Sequence, residues 1–302
     1  MASSPGALIR ALARDRRSGA AELALRACQQ IRQWISRTRP TPAQLTDLAL
    51  RLHAAQPSMA PLLRLANVLL QQAEQGSPVR LQLRALTSLE RMLRAAPRQA
   101  AMRCARLLAR RAHLRVATYS FSSTVLTTLL LVRSRLGSVL CSEGRPLGEG
   151  RRLAAALVDQ GIAVQFYPDL ALAGAISKAH IFLIGADAIG TSGFVNRAGT
   201  GVLVRMAGLY GVPTLVVADS SKFVPRALER YLLLPSATTN RSLWPRAPRG
   251  VDLTLALFEW IPWLPELRVV TDRQTVSGSQ LSSVLERIPV AEGLLKGLTR
   301  GG

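Results

Sequence analysis

The stretch IGADAIGTSGFVNRAGT, residues 184–200, sets an acid (Asp187), an amide (Asn196) and a cation (Arg197) in a glycine-broken segment behind an apolar run. Gly199 and Thr200 then open a second apolar stretch that reads as a helix. A helix start carries unsatisfied N–H groups and a partial positive charge, so such a hand-over favours an anion. Four further apolar runs end on polar residues: Ser120, Glu143, Asp169, and Asp219 with Ser220. One polar strand end is ordinary, but four acids around one sheet edge point to a pocket, because ligands of open α/β sheets bind at the carboxyl ends of the strands.

The elements that must position these residues fall into two halves. Residues 5 to about 112 keep helical spacing almost throughout. In ELALRACQQIRQWI, Ala24, Cys28, Ile31 and Ile35 form one stripe, with Arg26, Gln29, Gln30 and Gln33 opposite. PAQLTDLALRLHAA, MAPLLRLANVLLQQAEQG and RLQLRALTSLERMLRAA behave alike, separated by Pro, Gly and Ser. From residue 114 short β-rich runs (LRVATYS, SVLCSE, AVQFYPD, HIFLIGAD, PTLVVADS) alternate with helices expected at about 122–135, 147–160, 169–179 and 199–211. Near-continuous apolar strands alternating with helices imply a parallel sheet covered on both faces. The expected fold class is therefore α/β, with a helical N-terminal domain over 1–113 and a Rossmann-like parallel-sheet domain over 114–302 that holds the ligand site. His53 and His113 read as surface or packing residues, and the arginine-rich loop 234–250 as a surface excursion.

Composition bounds the function. No apolar run approaches the length of a membrane span, and the N-terminus lacks a secretory apolar core. Cys28, Cys104 and Cys141 lie far apart with no metal-ligand spacing, so neither a disulfide framework nor a metal or other cofactor is expected, and a reduced cytoplasmic compartment fits. The net charge is +21, of which +14 falls in residues 1–113, and 36 of the 39 basic residues are arginine. A polyanion would meet the N-terminal half first. Yet the arginines run along helices without interleaved aromatics or a nucleic-acid motif, so a solvated basic surface is preferred and nucleic acid is held in reserve.

TYSFSSTVL, CSEGRPLGEGRRLAAAL, IGADAI, NRAGT and ADSSKFVP, in that order, resemble one family. It unites the alpha, beta and delta subunits of eukaryotic translation initiation factor 2B with methylthioribose-1-phosphate isomerase and ribose-1,5-bisphosphate isomerase. The resemblance runs over about 114–290, including the closing FEWIPWLPELRVVTDRQTVSGSQLSSVLERI. It implies a helical domain before a Rossmann-like one, and association through the C-terminal domain. The isomerases use a cysteine and an aspartate to move hydrogen between C1 and C2 of a phosphorylated pentose. The aspartate is carried over to Asp187, whereas the cysteine position holds Ser120. RSGA (Arg17, Gly19, Ala20) is similar to the isomerases' phosphate-holding RGA with a serine inserted, and Gln56 stands where a second phosphate arginine is found. Asn196 and Arg197 replace an Asn-Lys pair that contacts sugar hydroxyls, while Glu143, Arg145, Gly199 and Thr200 complete the implied binding set.

A serine hydroxyl is a far weaker acid than a thiol of pKa about 8.5. The favoured expectation is therefore a factor-2B-like protein that binds a phosphorylated sugar or nucleotide, forms homo-oligomers and lacks ordinary isomerase turnover. The alternatives are a working aldose–ketose isomerase with Asp187 as acid/base, and a regulatory subunit acting on a GTPase. FEWIPWLPEL reads as core or interface.

Overall fold

A computed structural model of the chain describes residues 4–15, 18–230, 232, 238–239 and 243–299. Five helices come first: α1 (Pro5–Arg14), α2 (Ala20–Thr38), α3 (Pro42–Ala55), α4 (Ala60–Glu74) and α5 (Val79–Leu108). The α2 stripe is buried as expected, with Ala24, Cys28, Ile31 and Ile35 at most 1% exposed. Where α3 starts, Thr41 accepts from the Gln44 N–H and the Gln44 side chain accepts from Thr41 N–H, satisfying two of the helix's open donors.

The second half builds a seven-stranded sheet from β1 (Leu114–Ala117), β2 (Leu136–Ser142), β3 (Val164–Tyr167), β4 (Ile181–Ile184), β7 (Thr214–Val217), β11 (Arg268–Val270) and β12 (Thr275–Ser277). Their order is β12-β11-β7-β4-β1-β2-β3, parallel except for β12. Helices α6 (Ser123–Leu131), α7 (Glu149–Val158), α8 (Asp169–Ala175) and α9 (Thr200–Leu209) fill the expected crossovers. Sequence patterning gives five of the seven strands. The last two are three residues each, too short for a readable period.

The segment after β4 also departs from expectation. Rather than one polar turn, it folds as a hairpin of β5 (Ala188–Ile189) and β6 (Gly193–Arg197), and β6 pairs antiparallel with β10 (Phe258–Pro262). FEWIPWLPEL is thus partly core: Phe258, Ile261 and Leu267 are buried, Pro262, Pro265 and Glu266 are exposed, and Trp263 stacks on Phe194 at 5.1 Å between ring centroids. Within the expected loop 234–250, residues 234–237 and 240–242 lie outside the described ones. The rest supplies β8 (Thr238–Thr239), which pairs with β9 (Thr254–Leu255), and an exposed run from 243. The chain closes with α10 (Arg226–Glu229), α11 (Gly278–Leu285) and α12 (Glu292–Thr299).

The chain adds β2 and β3 on one side of β1, then returns to place β4 on its other side. That reversal opens a crevice beyond the C-terminal tips of β1 and β4, where α/β sheets hold their ligands. Among the described residues no helix is long and apolar enough to cross a membrane.

Candidate functional site

A cavity of about 110 Å³ sits at that crevice. The β1 tip contributes Phe121 to Thr124, the β4 tip Gly185 to Asp187, and β6 contributes Asn196 and Arg197. From the helical half, Ser18 to Glu22 bring the N-terminus of α2 to the wall. Gly19 caps α2 without a side-chain hydrogen bond, so no described side chain occupies its first N–H groups. The start of α6 faces the same space through Ser123 and Thr124. Two helix N-termini therefore share one cavity with three cations, Arg152, Arg197 and Lys222. Lys222 is 8% exposed and donates to the Ala186 carbonyl. Glu22, Asp187 and Glu149 bring three carboxylates to the same wall, Glu149 paired with Arg197, so the helix starts with Arg152 and Lys222 are what favour a bound anion.

Asp187 lies half-buried in the wall, and its carboxylate accepts no hydrogen bond from a described residue. Its backbone N–H donates to Val195 O at 2.8 Å, which fixes the loop on β6. Asn196 donates to Gly185 O at 3.0 Å and accepts from the Arg197 N–H at 2.9 Å, so its amide spans the two loops.

Ser120 sits apart. It lines a neighbouring void of about 10 Å³ together with Arg145, and two residues, Glu149 and Arg197, wall both spaces. Ser120 Oγ donates to Glu149 Oε2 at 2.9 Å, and Arg197 donates to Glu149 Oε1. The Arg197 guanidinium also covers the Phe258 ring, 4.3 Å from its centroid. With φ of 62°, Ser120 holds the left-handed backbone region that non-glycine residues adopt at a cost. The Ser120 hydroxyl is thus tied to a carboxylate behind an ion pair.

The expected residues separate accordingly. Gly19, Ala20, Asp187, Asn196 and Arg197 line the main cavity, while Ser120 and Arg145 line only the small one. Glu143, Gly199 and Thr200 line neither. Glu143 pairs with Arg151 at 2.7 Å, and Thr200 Oγ1 donates to Arg197 O at 2.6 Å. Gly199 starts α9 at φ 99°, where an added Cβ would crowd the Tyr119 hydroxyl at 3.0 Å. Arg17 lies outside the described residues. Gln56 is buried and donates to Leu12 O and Asp15 O at 2.8 and 3.0 Å, closing the end of α1.

Of the four strand-end acids, Asp187 alone faces the cavity. Asp169 accepts from the Gly144 and Arg145 N–H groups, and Asp219 accepts from Ser221 N–H. Sequence reasoning missed Glu149, Arg152 and Lys222. Lys222 had a signal, as one of three lysines in an arginine-rich chain and next to a strand end. Among the described residues no group of three or more His, Cys, Asp or Glu is placed to hold a metal ion.

The model of the initiation factor 2 subunit family matches residues 16–241. A Pyrococcus abyssi protein described as eIF-2B subunit 2-like is 32% identical over 151 residues, 49% of this chain and 52% of that protein. Ribose 1,5-bisphosphate isomerase of Methanocaldococcus jannaschii is 37% identical over 96 residues, 32% of this chain and 31% of the enzyme. This chain spans about half the length of the first of these relatives and less of the second. Among solved structures, the Pyrococcus horikoshii translation initiation factor eIF-2B superposes with a TM-score of 0.75 at 24% identity, over 90% of this chain and 96% of that one. The tetrameric eIF2B-beta2-delta2 complex from C. thermophilum gives 0.69 at 17% identity, over 93% of this chain and 92% of that one. These likenesses establish the fold.

Proposed function

This chain belongs to the initiation factor 2 subunit family, and from that premise we propose that it binds a phosphorylated sugar or nucleotide at the β1 and β4 tips without ordinary isomerase turnover. The observation that carries the reading is the Ser120–Glu149–Arg197 network. A serine replaces the thiol of the family's isomerases, and it lies behind an ion pair, away from Asp187. The first N–H groups of α2 and α6, with Lys222 and Arg152, offer a phosphoryl group its donors. Asp187 accepts from a hydroxyl of the same ligand. A closed space of about 110 Å³ is below the roughly 300–1,000 Å³ of sites that engulf drug-sized ligands, so it encloses the phosphoryl end.

A second reading, an aldose–ketose isomerase acting on a phosphorylated pentose, is supported by the unengaged carboxylate of Asp187. The chain is also proposed to form oligomers, as the tetrameric eIF2B-beta2-delta2 complex does, with its own C-terminal half as the associating surface, and to work in the cytoplasm.

Thermal-shift titrations with ribose-1,5-bisphosphate, methylthioribose-1-phosphate, AMP and inorganic phosphate test the reading. A phosphorylated ligand at 100 times its Kd is expected to stabilise the chain by about 2.7 kcal/mol, with the gain weakened by Lys222→Met and no product formed. No shift with any of the four overturns binding. Turnover that Asp187→Asn abolishes replaces the first reading by the second.

A further inference from the structure

Helix α5 runs for 30 residues, about 45 Å at 1.5 Å per residue. Its inner face buries Leu86, Leu89, Leu93, Ala100, Cys104 and Leu108. Its outer face carries arginine at a spacing that keeps the side chains in line. Arg84, Arg91 and Arg98 recur every seven residues, and a helix drifts only ~20° per heptad. Arg80 and Arg94 sit one turn before Arg84 and Arg98, and Arg106 continues the row two turns on; all six are exposed. Composition showed many arginines; the folded helix gathers these on one side.

The row is not neutralised from within. Glu90 is the one carboxylate of α5, and its side chain is 13% exposed, turned inward to Gln29, Arg32 and Arg94. Arg94 gives up part of its charge there, although its side chain remains 55% exposed. Arg80, Arg84, Arg91, Arg98 and Arg106 make no ion pair with a described residue. Self-repulsion along such a row is a standing cost that an anionic partner removes.

We propose that the arginine row of α5 docks the phosphate backbone of a double-stranded nucleic acid, independently of the cavity at the sheet edge. The chemistry selects this partner over two others. An acidic protein partner would be expected to seat on an apolar, aromatic centre, but the large apolar side chains exposed on α5 are only Leu81 and Met102. Single strands are held by aromatic stacking platforms, and no aromatic residue lies in α5. What remains is a line of guanidinium forks, which match phosphate oxygens and carry no base preference.

The test is binding of a fluorescent 30-base-pair duplex to the full chain across a KCl series. With about six phosphates neutralised, affinity should fall about 10³-fold from 50 to 200 mM salt. The variant R84Q/R91Q/R98Q should lower the slope of log K against log salt by about 3, at roughly 0.9 per contact, while R84K/R91K/R98K keeps it. The exposed arginines of R133Q/R135Q/R249Q serve as an equal-charge control that leaves the slope nearly intact. A wild-type affinity that barely responds to salt overturns the proposal, as does a control variant that lowers the slope as much as the row does. Polyglutamate of equal charge, or a single strand of equal length, binding as tightly as the duplex overturns it too.

Discussion

At the residue scale, Glu149 holds two partners that would otherwise be open to a ligand. One oxygen accepts from Ser120 and the other from Arg197, so the Arg197 guanidinium in the cavity wall is neutralised before any ligand arrives. Removing that charge frees a cation for phosphate. Glu149→Gln is therefore expected to tighten inorganic phosphate about tenfold, or about 1.4 kcal/mol, by calorimetric titration. Unchanged or weaker binding would mean that Arg197 does not face the anion. The cysteines make the opposite point. Burial pushes the thiols of Cys28, Cys104 and Cys141 up to about 12, so none is a nucleophile near neutrality. Ellman's reagent at pH 8 should find no reactive thiol in the folded chain and all three in guanidinium; one fast thiol would place a cysteine on an open path. Asp187, Asn196 and Arg197 were legible because one contiguous strand-end loop carries them. Glu149 was not, since an acid in the first turn of a helix looks like ordinary dipole complementation, and its contact with Ser120 depends on a backbone angle that residue type does not announce.

At the element scale, the sheet edge is held by two clasps that make contrasting predictions. Gly150 lies in the first turn of α7, where an added methyl would overlap the Ser142 carbonyl oxygen at the end of β2. Gly150→Ala must push α7 off the strand, and overpacking of this kind costs typically about 1–3 kcal/mol, read as a lower denaturation midpoint. An unchanged midpoint would show that the strand–helix junction has slack. The second clasp is Glu229 of α10. It accepts from the Thr191 hydroxyl at 2.5 Å and N–H at 3.1 Å, and from the Ser192 hydroxyl at 2.8 Å and N–H at 3.0 Å, pinning the β5–β6 turn. Burial pushes its carboxyl up, but these hydrogen bonds together outweigh burial and hold its pKa below the usual 4.5. A depressed folded pKa gives stability that is present above the unfolded value and lost as pH falls through the folded one. Glu229→Gln should thus be less stable than wild type at pH 7, with the gap closing as pH falls below the usual glutamate value; a gap that persists at low pH would remove the charge from the argument. The crossover helices and five strands were readable because each carries its own period. The β5–β6 hairpin was not, because its β6 partner β10 arrives some 60 residues later and no local pattern encodes that pairing.

At the scale of the whole molecule, the change of periodicity near residue 114 marks where strands begin, but apolar packing crosses it. The first half of α5 shares a core with α2 and α4, while Ala100, Cys104 and Leu108 pack beneath the sheet with Val116, Leu183 and Val217. The helical core in turn takes in Val195, Val224, Phe258 and Leu294 from the later half. Two polar ties reinforce this. Arg64 of α4 donates to Ser220 O at 3.0 Å, and Asn67 donates to Pro289 O and accepts from Ala291 N–H, both at 2.8 Å, seating α12 on α4. A helix rooted in two cores cannot release one without opening the other. Calorimetry should therefore show one unfolding transition with calorimetric and van't Hoff enthalpies in agreement. Asn67→Ala, which strands the buried Ala291 N–H at about 1–3 kcal/mol, should lower that single transition as a unit. Two resolved transitions, with Asn67→Ala shifting only the first, would mean that the helical half opens alone and that the shared core is too weak to couple it to the sheet.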